Sequence, residues 1–388
     1  MFLHQTVKRN KNLVDAAFFL HRRGDILPDS YVIDVDTFLE NAGKMLKKAR
    51  DRGVTLYFML KQAGRNPYLA KELVNIGYEG AVAVDYREAL TMMQHQIPIG
   101  NAGHLVQPPQ SFTERLVDYG PKVITIYSRE KAREIEAAAS KLGKRQAVMV
   151  RVYGESDMIY SGQSAGFCLE ELWDTAVWIK THCPHIEIRG ITSFPCYFYD
   201  QEAGDIMPSK NLGTVLKGAE ILRACGVETS LINTPSATCC RTLDKMACFG
   251  GNCGEPGHGL SGTTPMHADH DLEERPAVVY VSEISHNFFG NACCFGGGHY
   301  RRSHLRHALV GESAERGTEM EVIPPSAESI DYHFQLPRER AVGETVVMAF
   351  RFQIFVTRSD VVLVRGLRAG KPEIAGIYDS QGRKKDGF

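Results

Sequence analysis

The stretch TLYFMLKQAGRNP, Thr55 to Pro67, decides how the rest of the chain is read. Leu56 to Leu60 form an unbroken apolar and aromatic run, and the run ends on Lys61 rather than on a turn residue. An ammonium at the inner end of a core strand is costly to desolvate, so Lys61 needs a chemical reason to stand there. Beyond it, NPYLAKELVNIG sets Leu69, Leu73 and Ile76 at helical spacing, with Gly77 placed to end the helix.

The same rhythm of strand then helix runs from about residue 55 to 257. After TLYFMLK come GAVAVD, IPIGNAG, VITIYS, AVMVRVY, RGITSF, SLINTP and the less regular CFGGNCGEP. Between them lie helical patterns: SREKAREIEAAASKLG opens on a Ser128 cap and stops at Gly143, and CLEELWDTAVWIKTHC sets Leu169, Leu172, Ala176 and Ile179 on one face. Continuous apolar strands alternating with helices imply parallel strands buried on both faces. Eight such units predict an α/β fold, a (β/α)8 TIM-type barrel. The alternative, an open doubly wound sheet, is weakened by the absence of GxGxxG after the first strand. Past residue 270 the texture changes to strand-like pieces (AVVYVSEIS, TVVMAFRFQIFVT, VVLVRGLRAG) between Gly, Pro and charged turns. The expected organisation is therefore an N-terminal segment, residues 1–29, packing on the C-terminal domain; a barrel, residues 30–266; and a β-rich C-terminal domain, residues 267–388.

Composition limits the function. The 388 residues carry a net charge of −1, with 43% hydrophobic and 23% charged residues. Such a balance gives no electrostatic reason to capture nucleic acid or an acidic membrane surface. No apolar run approaches transmembrane length, and the N-terminal MFLHQTVKRNKNLVDAAFFLHRR has the wrong flanks for a secretory signal. The chain reads as cytoplasmic. Its ten cysteines are scattered, with no CxxC pair, and most read as small buried hydrophobes.

In such a barrel the chemistry sits at the C-terminal strand ends. Lys61 ends the first strand, Asp85 the second, and His104 follows the third. Arg151 and Tyr153 lie on the fifth, Ser193 and Phe194 end the sixth, Asn233, Thr234 and Ser236 follow the seventh, and Glu255-Pro-Gly257-His258-Gly follows the eighth. An amine, an arginine, a carboxylate, hydroxyls and glycines on one face suit a cofactor with an aldehyde, a phosphate and a basic ring nitrogen. Lys61 would join the aldehyde covalently. The NTPSAT and PGHG turns would bind the phosphate at a helix start, and Glu255 would pair with the ring nitrogen.

With those residues quoted, the chain resembles the alanine-racemase-like, fold type III family of pyridoxal 5'-phosphate enzymes, closest to an amino-acid racemase branch. The resemblance covers roughly residues 30 to 265: YVIDVDTFLENAGKMLKKAR, then Lys61 after a strand, then GYEGAVAVDYREAL, then EPGHGLSGTTP. It implies pyridoxal 5'-phosphate held by Lys61, Arg151, Thr234, Ser236, Glu255, Gly257 and His258. It also implies an amino-acid substrate and a homodimer whose partner subunit completes the site from its C-terminal domain. Departures accompany the matches. Alanine racemases carry an arginine where this chain has Glu255, as the family's basic-amino-acid decarboxylases do. Their strand-five lysine and following arginine align with Arg151 and Gln163. Arg65 stands at a tyrosine position and Phe194 at that of the ring-facing histidine. The family's second acid/base is a tyrosine in racemases and a cysteine in decarboxylases, and GNACCFGGGHYRR offers Cys293, Cys294 and Tyr300. A thiol near Arg301 and Arg302 would have a lowered pKa, and the glycine run would let backbone approach a ligand.

Plainer readings stand beside these. Lys61 alone would be a surface lysine, Glu255 a cap or an ion-pair partner, Thr234 and Ser236 turn residues, and His104 a satisfied strand-end histidine. Arg151 on an apolar strand points to a buried anion. HADHDLEE and HYRRSHLRH suggest a metal site, as in the D-threonine aldolase branch, but their spacings fit no ligand set and no metal is expected. The expected activity is racemisation or epimerisation. A decarboxylase or D-amino-acid lyase is the alternative, and a non-catalytic cofactor carrier or a barrel binding another phosphorylated ligand are alternatives of other classes.

Overall fold

The computed structural model describes residues 1–323, 325–326 and 328–386. Two compact units emerge: Lys44–Leu60 with Ala70–Gly257, and Met1–Gly43 with Lys61–Leu69 and the chain from His258 onward.

The first unit is the barrel that the alternating pattern predicts. Its strands are Thr55–Leu56, Ala81–Ala83, Ile99–Ala102, Val123–Ile126, Gln146–Tyr153, Ile186–Thr192, Leu231–Asn233 and Cys253–Gly254. Each pairs in parallel with its neighbour. A parallel bridge from Phe58 to Ala81 joins the two ends. Through it Phe58 N donates to Gly80 O at 3.1 Å and accepts at its carbonyl from Val82 N at 2.7 Å, which closes the sheet on itself. The opening apolar run thus stays extended beyond its short strand, and Tyr57 N and Met59 N donate to Gly254 O and Pro256 O. Tyr57, Met59, Val82, Val84 and Cys253 pack together as the barrel filling. Gly100 is required there, because a Cβ would lie 2.2 Å from the Tyr57 ring. Helix Arg129–Leu142 is capped by the Ser128 hydroxyl and stops at left-handed Gly143. Asp85, expected among the site carboxylates, caps helix Tyr86–Gln94 by accepting from Glu88 N.

The second unit is built on a nine-stranded sheet among the described residues. Helices Phe2–Arg9 and Lys11–Arg22 bury Phe2, Leu13, Val14 and Phe18 with Val279, Val281, Val347, Val362 and Val364 of this sheet. Residues 30–43, 61–69 and 258–266, expected within the barrel, lie in this second unit. Ser30–Asp34 is a strand of this second sheet, antiparallel to Val278–Phe288 and parallel to Asp360–Arg365. All five of its residues are buried. A strand covered on both faces has the same continuous apolar composition in either sheet, so its sequence does not tell the two apart. No helix among the described residues is long and apolar enough to cross a membrane.

Candidate active site

The C-terminal ends of the barrel strands hold a hydrogen-bonded ring of polar side chains with Glu255 at its centre. Glu255 Oε1 accepts from Asn101 Nδ2 at 2.8 Å and from Asn233 Nδ2 at 3.1 Å. Thr125 Oγ1 donates to Asn101 Oδ1 at 2.7 Å, and Asn233 Nδ2 lies 3.2 Å from Thr192 Oγ1. The other carboxylate oxygen, Oε2, is 3.3 Å from His104 Nδ1, with both side chains fully enclosed. Five strands therefore fix one buried carboxylate. Burial raises the Tyr57, Tyr127 and Cys253 groups around it, Tyr127 to about 12, with the Glu255 charge as a further cause for each. An enclosed carboxylate with oriented amide donors is a receptor for a cation or an N–H group.

Arg151 sits beside this ring. It is 2% exposed, and its guanidinium donates to Gln163 O at 2.9 Å and to His104 O and Tyr127 Oη at 3.4 Å, lying over the Tyr127 ring. Carbonyl and aromatic partners therefore account for an arginine on an apolar strand without the buried anion that its sequence position suggested. His104 stacks edge-on against Phe194, which in turn meets Tyr160.

The turn after the seventh strand has the features of an anion cradle. Thr234 is fully buried and Thr238 is 3% exposed, and neither hydroxyl completes a hydrogen bond within the protein. The Tyr197 hydroxyl approaches Thr234 without reaching good hydrogen-bond geometry and is itself buried; burial raises its pKa. Between the threonines, Ser236 and Ala237 both take positive φ, 100° and 50°. Side chains rarely adopt such backbone, and it recurs at ligand clamps. Helix Cys240–Phe249 begins immediately after the turn, and no side chain caps its N-terminus. Gly251 stands behind, where a Cβ would come within 2.4 Å of Thr234 Oγ1. Buried orphan hydroxyls are rare, and here they gather at a positive helix end.

Lys61 directly follows Leu60 and opens the short turn Lys61–Ala63, which belongs to the second unit. There it is near His258. Burial, then Arg351 and Lys61, hold the His258 imidazole well below its ordinary value. Its Nδ1 meets Thr263 Oγ1 at 3.2 Å and its Nε2 meets Gln353 Nε2 at 3.3 Å. Glu255, Arg151, Thr234, Ser236 and Gly257 lie in the barrel unit, and Lys61, His258, Cys293 and Cys294 in the other.

Two expectations about the C-terminal motif are corrected. Cys293 and Cys294 lie in strand Asn291–Phe295, and burial raises both thiols, Cys294 to about 12, where proximity to Arg301 and Arg302 was expected to lower them. The glycines make room for protein instead of ligand. A Cβ would meet Asp331 O at Gly296, the Asp29 carboxylate at Gly297 and the Tyr280 ring at Gly298, at 2.1, 2.0 and 2.4 Å. Arg65 is buried over the Phe355 ring and donates to Gln381. Cys293, His286 and His333 line a pocket of about 580 Å³ on this unit. Among the described residues no three His, Cys, Asp or Glu side chains gather as metal ligands.

Comparison with known proteins fits this geometry. The family model for the alanine racemase N-terminal domain matches residues 33–265. The chain belongs to the alanine racemase N-terminal domain family. Residues 279–374 match the model of a YhfX-like C-terminal domain. The Escherichia coli (strain K12) protein YhfX, itself uncharacterized, is 44% identical over 383 residues, covering 98% of this chain and 99% of that one. Among solved structures, D-threonine aldolase from Filomicrobium marinum aligns with TM-score 0.66 at 16% identity, over 92% of this chain and 96% of the other. Alanine racemase from Clostridium difficile 630, in complex with cycloserine, gives 0.62 at 17%, over 90% and 98%. D-threo-3-hydroxyaspartate dehydratase from Delftia sp. HT23 gives 0.64 at 14%, over 89% and 95%. At these identities the three structures establish the fold. Enzymes of the alanine racemase family generally use pyridoxal phosphate.

Asn101, Thr125, Thr192, Thr238 and Tyr197 were not singled out by sequence. The usable signal was a polar residue inside an otherwise apolar strand: Asn101 in IGNA, Thr125 in VITI, Thr192 in IEIRGIT.

Proposed function

We propose that this protein binds pyridoxal 5'-phosphate and acts at the α-carbon of an amino acid, with racemisation or epimerisation as the reaction. The observation that carries the cofactor assignment is the pair of buried hydroxyls, Thr234 and Thr238, left without a partner at the start of helix Cys240–Phe249. A phosphate group supplies the acceptors they lack and the charge that a helix N-terminus favours. Ser236 and the Gly257–His258 turn complete the phosphate and ring contacts, and Arg151 serves the phenolic oxygen. Glu255, its Oε1 already held by two asparagines, takes the ring N–H. Lys61 is the amine that anchors the cofactor. When bound, the cofactor supplies the electron sink for a carbanion at the substrate α-carbon.

The chain's own residues then move the proton. Lys61 Nζ takes the α-proton on one face as the Cα–H bond breaks. A group of the C-terminal region in a second copy returns a proton to the other face, so a homodimer is the active form. Cys293 is the better candidate than Cys294, because it lines an open pocket whereas the Cys294 thiol is sealed and raised to about 12. A D-amino-acid lyase or decarboxylase is the second reading. It is favoured by the same thiols: with both pKa values raised, neither is a ready base for the two-base exchange that racemisation needs.

The test is incubation of cofactor-loaded protein with single L- and D-amino acids in deuterated water. Inversion with α-deuterium uptake and unchanged product identity supports racemisation. Release of carbon dioxide, ammonia or an aldehyde supports the second reading. No α-exchange with any amino acid, despite bound cofactor, supports a carrier role and refutes catalysis.

A further inference from the structure

We infer that His104 is a positioning residue that keeps Glu255 ionised opposite the cofactor's ring nitrogen and so sets the protonation of that nitrogen. The inference rests on the pyridoxal-phosphate reading above. His104 was expected to be a satisfied strand-end histidine, and its surroundings are more specific than that. Its side chain is fully enclosed, and Nδ1 lies 3.3 Å from Glu255 Oε2, the carboxylate oxygen that the asparagines do not use, a close contact between two buried ionisable groups that falls short of hydrogen-bond geometry. Its orientation is fixed from two directions. Phe194 meets the imidazole edge-on at 5.7 Å between ring centres. Tyr127 and Arg151 both donate to the His104 carbonyl, which pins the backbone that carries the ring.

The three nitrogen contacts divide the work. Asn101 and Asn233 come from the third and seventh strands and meet on Oε1. His104 follows the third strand and covers Oε2. A carboxylate that accepts several N–H bonds is held in its charged form, because each donor favours the anion over the protonated acid. Glu255 and a pyridine nitrogen share one proton between them. Every donor on the carboxylate therefore pushes that proton onto the ring and strengthens it as an electron sink. Among the described interactions the Glu255 charge also reaches Tyr57, Tyr127, Cys196 and Cys253, all raised by burial, so none of these four competes as a buried anion near neutral pH. Arg151 reaches only as far as the His104 carbonyl, Tyr127 and Gln163 among its described hydrogen bonds.

Two measurements test the inference, and neither uses turnover. In cofactor-free protein, the His104 imidazole nitrogen resonances should show a proton on Nδ1, and Glu255→Gln should change them. In protein loaded with pyridoxal phosphate labelled with nitrogen-15 in the ring, the wild-type ring nitrogen should resonate as a pyridinium. His104→Phe preserves ring packing against Phe194 and removes both nitrogens. It should lower the titration midpoint of the ring nitrogen by about one pH unit, the loss of one close buried contact with the carboxylate. Adding His104→Phe to Glu255→Gln should produce no further change, since the histidine acts through the carboxylate. A ring nitrogen that titrates identically in wild type and His104→Phe, while Glu255→Gln shifts it, overturns the inference and leaves the cofactor reading intact. If the loaded wild type gives no ring signal and no absorption band, the cofactor reading fails and the inference with it, whatever the coupling in the cofactor-free protein.

Discussion

Replacing Thr238 by valine keeps the side chain's shape and removes one hydroxyl, and the structure predicts effects of opposite sign on the empty and loaded protein. In the protein alone, the Thr238 hydroxyl is buried at 3% exposure and completes no hydrogen bond. An unsatisfied buried hydroxyl costs about 1–3 kcal/mol, so valine should stabilise the cofactor-free barrel by about 1 kcal/mol. For a unit of this size that raises the melting temperature by about 2–4 °C. With cofactor bound, the same hydroxyl donates to a charged phosphate. Its loss forfeits about 1.5–3 kcal/mol, a weakening of affinity of roughly 10- to 150-fold. Stripped protein would be melted by calorimetry, and cofactor affinity measured by titration at constant pH. Thr234→Val should follow the same pattern. A Thr238→Val protein that melts lower than wild type and binds pyridoxal phosphate equally well would refute the cradle, because the hydroxyl would then be satisfied within the protein.

Other outcomes follow from the same contacts. Glu255→Leu leaves two buried asparagine donors on an apolar side chain and should destabilise the protein by about 2–4 kcal/mol, read by denaturant unfolding, whereas Glu255→Gln retains an acceptor for both and should cost less than half as much. Gly100→Ala should cost about 2–3 kcal/mol through its clash with the Tyr57 ring, and Tyr57→Leu in the same chain should recover much of that loss; equal costs with and without Tyr57 would contradict the packing. Asp29, in contact with the glycine loop, has its pKa raised from 3.8 to about 6 by burial, partly offset by Ser359 and Tyr280 hydrogen bonds. The folded state therefore holds this proton more tightly than the unfolded one. Stability on this account is greatest below pH 4 and falls as pH rises through 6, by up to about 3 kcal/mol. Asp29→Asn should flatten unfolding free energy between pH 4 and 7, and an unchanged slope would contradict it.

The barrel was legible because strand and helix alternate with unequal periodicity, and parallel strands covered on both faces read as continuous apolar runs. That property also hid the place of Ser30–Asp34, a strand equally buried in the second sheet. At the C-terminal ends of the barrel strands, Glu255, Arg151 and Thr234 could be placed from sequence position alone. The asparagines and threonines that hold Glu255 come from four other strands, and only folding brings them together. The expected lowering of the Cys293 and Cys294 thiols is overturned for a definable reason. Linear proximity to arginines says nothing about burial, and desolvation dominates both thiols. The glycine run is likewise explained by side chains remote in sequence, Asp29, Tyr280 and Asp331.

The central claim, that Lys61 carries pyridoxal phosphate in this chain, is tested most directly by the visible spectrum of wild-type and Lys61→Ala protein, each supplied with cofactor, before and after borohydride. A band bleached by borohydride in the wild type and absent from Lys61→Ala is the predicted result. A wild-type spectrum without that band, or a Lys61→Ala spectrum that keeps it, would contradict the account.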